Sequence, residues 1–214
     1  MQASATLTLG YTFGVSYDSA NTYVPDGTLW ALVVDQGDNQ FAGFGLNDSL
    51  YAANQVTLGV ADSFFTAGQS ISLGNTLGGG TVFAMGGFND GAGGTSGTLP
   101  GLTLGQYGLA ASRNFAFYWF PGATFSGNQN NPQTISNEVG GIHNSTADLT
   151  PVGPFDTGMI VPADGADVQI GAANIAFGGS MANSSFQAVT LVPEPSVALL
   201  GAFGALGLLR RRRN

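Results

Sequence analysis

Apolar and polar residues alternate strictly near the start of the chain, in the segment from residue 6 to residue 17. One side of this pattern carries Leu7, Leu9, Tyr11, Phe13, Val15 and Tyr17, and the other side carries Thr, Gly and Ser. Because successive side chains of a strand point to opposite faces, such a segment places one face on a core and the other in water. The pattern predicts a half-buried β-strand over residues 6–17.

Seven further segments have the length of strands and are rich in β-branched or aromatic residues. They cover residues 28–35, 40–46, 55–60, 81–88, 114–120, 167–177 and 185–192. Turn pairs lie between them, among them Asp26-Gly27, Asp90-Gly91 and Asp164-Gly165, in which glycine supplies a positive φ. The chain is therefore predicted to be all-β, with an antiparallel β-sandwich of jelly-roll type over residues 6–191. An up-and-down barrel is the alternative.

Charge is scarce and unevenly distributed. The chain of 214 residues has thirteen Asp and Glu, five Arg, no Lys and no Cys, for a net charge of −8. Four of the arginines lie at the C-terminus, so the rest of the chain carries −12. Such a body repels phosphate backbones, which excludes nucleic acid as a partner. A hydrophobic content of 43% nevertheless predicts a folded chain.

Residues 192–214 differ from everything before them. Pro193 and Pro195 lack backbone donors and end any preceding strand. Ser196 then caps a predicted short helix, residues 197–209, that contains no polar side chain. A basic cluster after an apolar helix indicates a membrane segment with a cytoplasmic C-terminus. A buried core helix is the alternative, since this helix is shorter than a hydrocarbon core of about 30 Å.

In this order the residues resemble the PEP-CTERM protein-sorting segment of bacteria, also known as a C-terminal segment of ice-binding proteins. The matching residues are the motif Val192, Pro193, Glu194, Pro195 and Ser196, the stretch ALLGAFGALGLL, and the membrane stop Arg210, Arg211, Arg212 and Arg213. The resemblance covers only this tail. It implies an exported protein that an exosortase, a transpeptidase-like enzyme of the inner membrane, recognises and processes before the protein reaches the cell surface or the medium.

The N-terminus carries a second export signal. Ala3-Ser4-Ala5 has the A-x-A pattern of a signal-peptide cleavage site. We expect residues 1–5 to be a remnant of a signal peptide, with a basic region and an apolar stretch encoded upstream of Met1. Small residues placed by chance at a polar N-terminus are the alternative.

Catalytic chemistry is sparse in the sequence. His143 is the only imidazole, and Ser145 and Asp148 follow it closely, but a triad needs residues that converge from separate elements. The G-x-S-x-G elbow is absent, and the lack of Lys excludes a P-loop. We therefore predict that the protein is not an enzyme. A hydrolase that uses two Asp carboxylates is the less favoured alternative.

Two segments suggest ligands. Asp35, Asp38 and Asn39 form a short acidic turn after a strand and are weak candidates for calcium, because calcium prefers clustered oxygen ligands. Asp164 and Asp167 form a similar turn, and neither segment has EF-hand spacing. Apart from this calcium hypothesis, no cofactor is predicted.

The aromatic run contains Phe115, Phe117, Tyr118, Trp119 and Phe120, which offer either a sugar-binding face or core side chains. The predicted function is an exported surface or extracellular-matrix protein with a structural or adhesive body. A carbohydrate-binding β-sandwich module, with extracellular polysaccharide as its partner, is the alternative. A single T-x-T triplet, residues 6–8, argues against ice binding.

Overall fold

A computed structural model describes residues 7–14, 16–36, 40–41, 44–45, 65–91, 93–102, 104–113, 115–143, 167–172 and 188–191. Strands hold 49% of the described residues, which contain no α-helix, so the prediction of a mainly β protein is confirmed. The sheets are largely antiparallel and include a curled half-barrel. The predicted strand over residues 55–60, the turn at residues 164–165 and the segment 1–5 lie outside the described residues.

The described residues form thirteen strands and one short 3-10 helix at Leu104–Tyr107. The strands are β1 (Leu7–Phe13), β2 (Thr28–Asp35), β3 (Gln40–Phe41), β4 (Phe44–Gly45), β5 (Ser70–Ile71), β6 (Thr76–Leu77), β7 (Gly80–Gly87), β8 (Thr95–Leu102), β9 (Phe115–Thr124), β10 (Gln133–Thr134), β11 (Glu138–His143), β12 (Asp167–Ala172) and β13 (Val189–Thr190).

Two main sheets organise these strands. The central sheet has the order β13-β11-β9-β2-β7-β6 and is antiparallel throughout. The second sheet has the order β12-β1-β8, and β1 pairs with β12 in parallel. That pairing departs from the predicted antiparallel arrangement. Parallel neighbours need a long crossover connection, and the many residues between β1 and β12 provide one.

The central sheet is buried on both faces. One face shares an apolar cluster with the three-stranded sheet, and its largest members are Tyr11, Phe13, Trp30, Phe117 and Trp119. The other face packs against the segments that carry Phe65, Ile71, Ile135 and Leu191. All eight residues of β2 are buried. Burial on both faces explains why the central strands are nearly continuous apolar runs instead of alternating patterns.

The predicted strands agree with the structure best where they are most apolar. Strand β2 matches its predicted range residue for residue, and β7 and β9 lie close to theirs. The first strand ends at Phe13, earlier than predicted, although Leu9, Tyr11 and Phe13 are buried as expected. Tyr17 instead forms an isolated bridge with Tyr23. Residues 40–46 contain the two short strands β3 and β4.

Both tryptophans lie opposite a glycine of the neighbouring strand. Trp30 pairs with Gly86 across β2 and β7, and Trp119 pairs with Gly140 across β9 and β11. A Cβ atom added to either glycine would lie well inside van der Waals distance of the indole ring. The rings therefore cover the neighbouring backbone, and the Trp119 Nε1–H donates a hydrogen bond to the Tyr17 carbonyl at 3.1 Å.

Candidate functional site

The residues of the predicted sorting segment lie outside the described part of the chain. This holds for the motif at residues 192–196, for the predicted apolar helix and for the four arginines at residues 210–213. Within the part that the structure describes, no helix is both long and apolar enough to cross a membrane. The candidate site that the structure does describe must therefore be sought in the β body.

The first calcium candidate is an ion-paired residue of the core. Asp35 ends β2 with 2% of its side chain exposed, and its Oδ2 lies 3.9 Å from Nη1 of Arg113. Arg113 is the only cation in the sequence outside the C-terminal cluster. Asp38 and Asn39 lie outside the described residues, as does Asp164. Among the described residues, no three His, Asp or Glu side chains group closely enough to hold a metal ion.

The aromatic run of β9 fills the interior from both sides. Phe115, Phe117 and Trp119 belong to the cluster shared with the three-stranded sheet. Tyr118 and Phe120 belong to the cluster on the opposite face. All five are buried, so of the two alternatives for this run the core is the one that the structure shows, and the run offers no solvent-facing sugar platform. The physical reason is that the central sheet is covered on both sides, which removes the exposed face that such a platform needs.

The residues considered for a hydrolase are not brought together in the described structure. His143 ends β11 at the register position of Ala116, while Ser145 and Asp148 lie outside the described residues. Glu138, the only Glu of the body, accepts a hydrogen bond from the Ser19 N–H at 3.1 Å. That contact connects the loop at Ser19 to β11, so the carboxylate has a structural role.

A cleft of about 620 Å³ opens between the two sheets. Its apolar wall is formed by Tyr11, Trp30, Met85, Phe88, Leu99 and Phe125. The Tyr11 and Trp30 rings meet edge to face, with 5.0 Å between their centroids. Burial, as the largest effect, raises the pKa of the Tyr11 phenol, so this hydroxyl stays protonated at neutral pH. Aromatic walls of this kind are common in sites for small molecules.

The polar side of the cleft is a loop, residues 125–133, that presents Asn128, Gln129 and Asn130. Its anchor is Gln133, whose side chain is 2% exposed. The Gln133 Oε1 accepts from the Ser126 N–H at 2.9 Å. Its Nε2 lies within 3.0 Å of three acceptors: Ser126 Oγ and the carbonyls of residues 128 and 131. A buried amide thus holds the loop in one shape from within.

Two buried polar atoms belong to residues that line this cleft and have no hydrogen-bond partner in the part of the chain that the structure describes. One is the donor Nε1 of Trp30, and the other is the acceptor Oε1 of Gln129. Trp30 is fully buried, so its indole N–H has lost water without gaining a partner. Most buried polar groups are hydrogen-bonded, and an exception at a concave surface points to a ligand or a functional group. By contrast, the other indole N–H is paired.

One segment of the sequence corresponds to the polar side of this cleft, although the alternation of apolar and polar residues did not indicate a site there. The segment NQNNPQ, residues 128–133, combines five amide side chains with a proline and lies directly after a long apolar strand. Amide side chains suit turns, which is the usual role of such a segment. Here the last amide, Gln133, is buried and the first three line the cleft.

Comparison of the chain with protein-family models, with curated proteins and with solved structures gives no match. Its function must therefore be inferred from its own residues.

Proposed function

We propose that the chain is an exported bacterial surface or extracellular-matrix protein that an exosortase sorts and processes at residues 192–214. The observation that carries this proposal is the order of the tail: a Val-Pro-Glu-Pro-Ser motif, an apolar run and a cluster of four arginines. During sorting the tail spans the inner membrane with its C-terminus in the cytoplasm. The processed body then resides at the cell surface or in the medium.

The residues of the tail suit separate tasks. Glu194 lies between two prolines in a segment that cannot join a sheet, so an enzyme in the membrane can bind it without unfolding the body. The arginines at residues 210–213 resist translocation, because each adds on the order of 1 kcal/mol of attraction to the anionic cytoplasmic leaflet. Snorkelling of these long side chains compensates for the shortness of the apolar run.

We assign the body a structural or adhesive role, with the two main sheets as the halves of a jelly-roll sandwich and a short apolar helix after it. The shared apolar cluster between the sheets supports the sandwich, since two sheets that bury one core form that architecture. The scarcity of nucleophiles and cationic residues in the sequence supports a role without catalysis.

The test is the change Glu194→Ala in a host that contains an exosortase. Unprocessed precursor should accumulate in the inner membrane, with the stability of the body unchanged, as measured by immunoblotting of membrane and released fractions. The matched control is Glu138→Ala, which removes the only other Glu of the chain and should leave processing intact. Normal processing of the Glu194→Ala protein would contradict the proposal.

Replacing the four arginines with Ser provides a second measurement on the same tail. This change should weaken retention in the inner membrane, so that unprocessed protein appears in the periplasmic fraction. A variant that is retained and processed like the unaltered chain would show that the basic cluster does not act as a membrane stop.

A carbohydrate-binding body is the second candidate function. The observation that favours it is the cleft, where an aromatic wall faces a loop of amide side chains. The aromatic run of β9 does not contribute, since none of its side chains lines the cleft.

A further inference from the structure

We propose that the cleft beside Trp30 binds a neutral saccharide, with the loop at residues 125–133 as its polar wall. The inference rests on the proposed function in one respect, because a protein at the cell surface meets extracellular polysaccharide. The ligand class and the residues that bind it are inferred from the cleft alone, and neither follows from residues 192–214.

The first argument is the pair of unpaired polar atoms. Trp30 Nε1 can only donate a hydrogen bond, and Gln129 Oε1 can only accept one. Both atoms are buried in the structure, so a hydroxyl group can accept from the first and donate to the second only after a side chain at the cleft moves. Gln129 is only half-buried, so its side chain can turn to admit such a group without unfolding the loop. Ligands that carry several hydroxyls therefore fit this chemistry best.

The second argument is that the cleft offers both apolar surface and hydrogen-bonding groups. A sugar ring has an apolar face of C–H groups and an edge of hydroxyls, and it needs a site that offers both. Tyr11, Leu99 and Phe125 provide apolar surface, and the amides of Asn128 and Asn130 provide donors and acceptors. A volume of about 620 Å³ lies within the range of about 300–1,000 Å³ typical of small-molecule sites.

The third argument is charge. Among the described residues that line the cleft, none carries a charged side chain. The chain outside the four C-terminal arginines has a net charge of −12, which repels anions from the surface as a whole. The site should therefore prefer neutral sugars to those that contain uronic acid.

The fourth argument is preorganisation. Gln133 fixes the loop through buried hydrogen bonds before any ligand arrives. The Asn128 Oδ1 also accepts from the Asn130 N–H at 2.9 Å, which sets the two amides relative to one another. A loop that is already ordered loses little conformational entropy on binding, so a weak polar ligand can still be held.

The experiment uses the full chain in a polyoxyethylene detergent, because detergents with sugar headgroups would compete. Maltose, cellobiose and lactose are titrated by calorimetry and by tryptophan fluorescence, and a disaccharide of galacturonic acid serves as the anionic comparison. At least one neutral disaccharide should bind saturably at one site per chain. It should bind at least about tenfold more tightly than the uronate.

Variants locate the site. Gln129→Ala and Trp30→Phe each remove one of the unpaired groups and should weaken binding by about tenfold, the loss expected for one hydrogen bond to a buried partner. Asn131→Ala is the matched control, because Asn131 is an exposed amide of the same loop that does not line the cleft. Urea unfolding of each variant checks that the fold is retained, and Gln129→Ala, at a half-buried position, serves where Trp30→Phe does not fold.

Three outcomes would overturn the proposal: no saturable binding of any neutral disaccharide, binding that Gln129→Ala leaves unchanged, or a uronate that binds equally well. None of these bears on processing of the tail, which the Glu194→Ala experiment measures separately. A failure of sorting would likewise leave the binding result intact.

Discussion

Replacing Gly140 with Ala should destabilise the protein severely, although the change adds a single methyl group. Gly140 lies in β11 directly opposite Trp119 of β9, and its added Cβ would overlap the indole ring at Cε2 and Cζ2. Trp119 is fully buried, so the ring has no free space into which it can move. Any movement also lengthens the hydrogen bond from its Nε1 to the Tyr17 carbonyl.

The magnitude follows from these contacts. Forcing extra volume into a packed core costs about 1–3 kcal/mol. An unpaired buried donor adds about 1–3 kcal/mol where the indole hydrogen bond breaks. Alanine recovers roughly 0.5–1 kcal/mol because it restricts the unfolded chain more than glycine does. The free energy of unfolding should therefore fall by about 1–5.5 kcal/mol, at its upper end a large fraction of the roughly 5–15 kcal/mol that holds a typical domain together.

The assay is urea unfolding followed by tryptophan fluorescence, because both tryptophans are buried in the folded state. Gly105→Ala is the matched control. A Cβ at Gly105 meets nothing within 4 Å, and the backbone there does not have a positive φ. The control should be neutral or stabilising by about 0.4–1 kcal/mol. Equal effects of the two changes would refute the reasoning.

A double-mutant cycle would identify the cause. In a Trp119→Phe background the second ring of the indole is gone, so Gly140→Ala should cost less than it does beside the indole. A coupling energy of at least about 0.5 kcal/mol is expected for residues in contact. Strict additivity would mean that the glycine matters for its backbone and not for its closeness to the ring.

Two further predictions concern the cleft. Gln133→Ala should lower the free energy of unfolding by about 2–4 kcal/mol, since it removes the hydrogen bonds by which the buried Gln133 side chain holds the loop; hydrogen exchange should show loss of protection at the Ser126 N–H, and unchanged protection there would count against the anchor role. Burial raises the pKa of Tyr11, so the unfolded chain releases this proton at lower pH than the folded one. The stability that Tyr11 provides should be complete below about pH 10 and should decline as the pH rises through the folded pKa. Tyr11→Phe should make the decline, measured by urea unfolding, shallower, and an unchanged slope would exclude this residue as a cause.

The central strands could be predicted from sequence because their apolar runs are long. Strand β2 and strand β9 hold eight and ten residues, and most of their side chains are buried. Long runs of β-branched and aromatic residues leave few alternatives to a strand buried on both faces. The sequence predicted that alternate members of the aromatic run of β9 fill the core, and the structure buries members on both faces, which leaves none for a sugar-binding face.

Strands β8 and β11 were missed because they look like loops. The sequence of β8, TSGTLPGL, contains glycine and proline, and that of β11, EVGGIH, contains two glycines; both residue types have low strand propensity. The fold makes use of the absence of a side chain at two of these glycines. Tyr11 lies opposite Gly97, and Trp119 lies opposite Gly140, so rings occupy the space that side chains would fill. This compensation depends on pairs that are distant in sequence.

The candidate site was hidden for a related reason. Its walls come from positions as distant as Tyr11, Trp30, Leu99 and Gln129, which only the packing of two sheets brings together. Asn-rich loops are common, and neither the burial of Gln133 nor the unpaired Trp30 Nε1 has a sequence signature. The predicted sorting segment is the opposite case, because its motif, apolar run and basic cluster are contiguous in the sequence.

The short edge strands of the central sheet also affect whether copies of this protein aggregate at high local concentration. In the part of the chain that the structure describes, its two outermost strands, β13 and β6, are only two residues long. A strand from another chain would find few backbone groups to pair with there, and short edge strands are one way in which natural proteins limit edge-to-edge aggregation. Mutual repulsion between bodies of strong negative charge acts in the same direction. Crowding should therefore not join copies edge to edge through the central sheet.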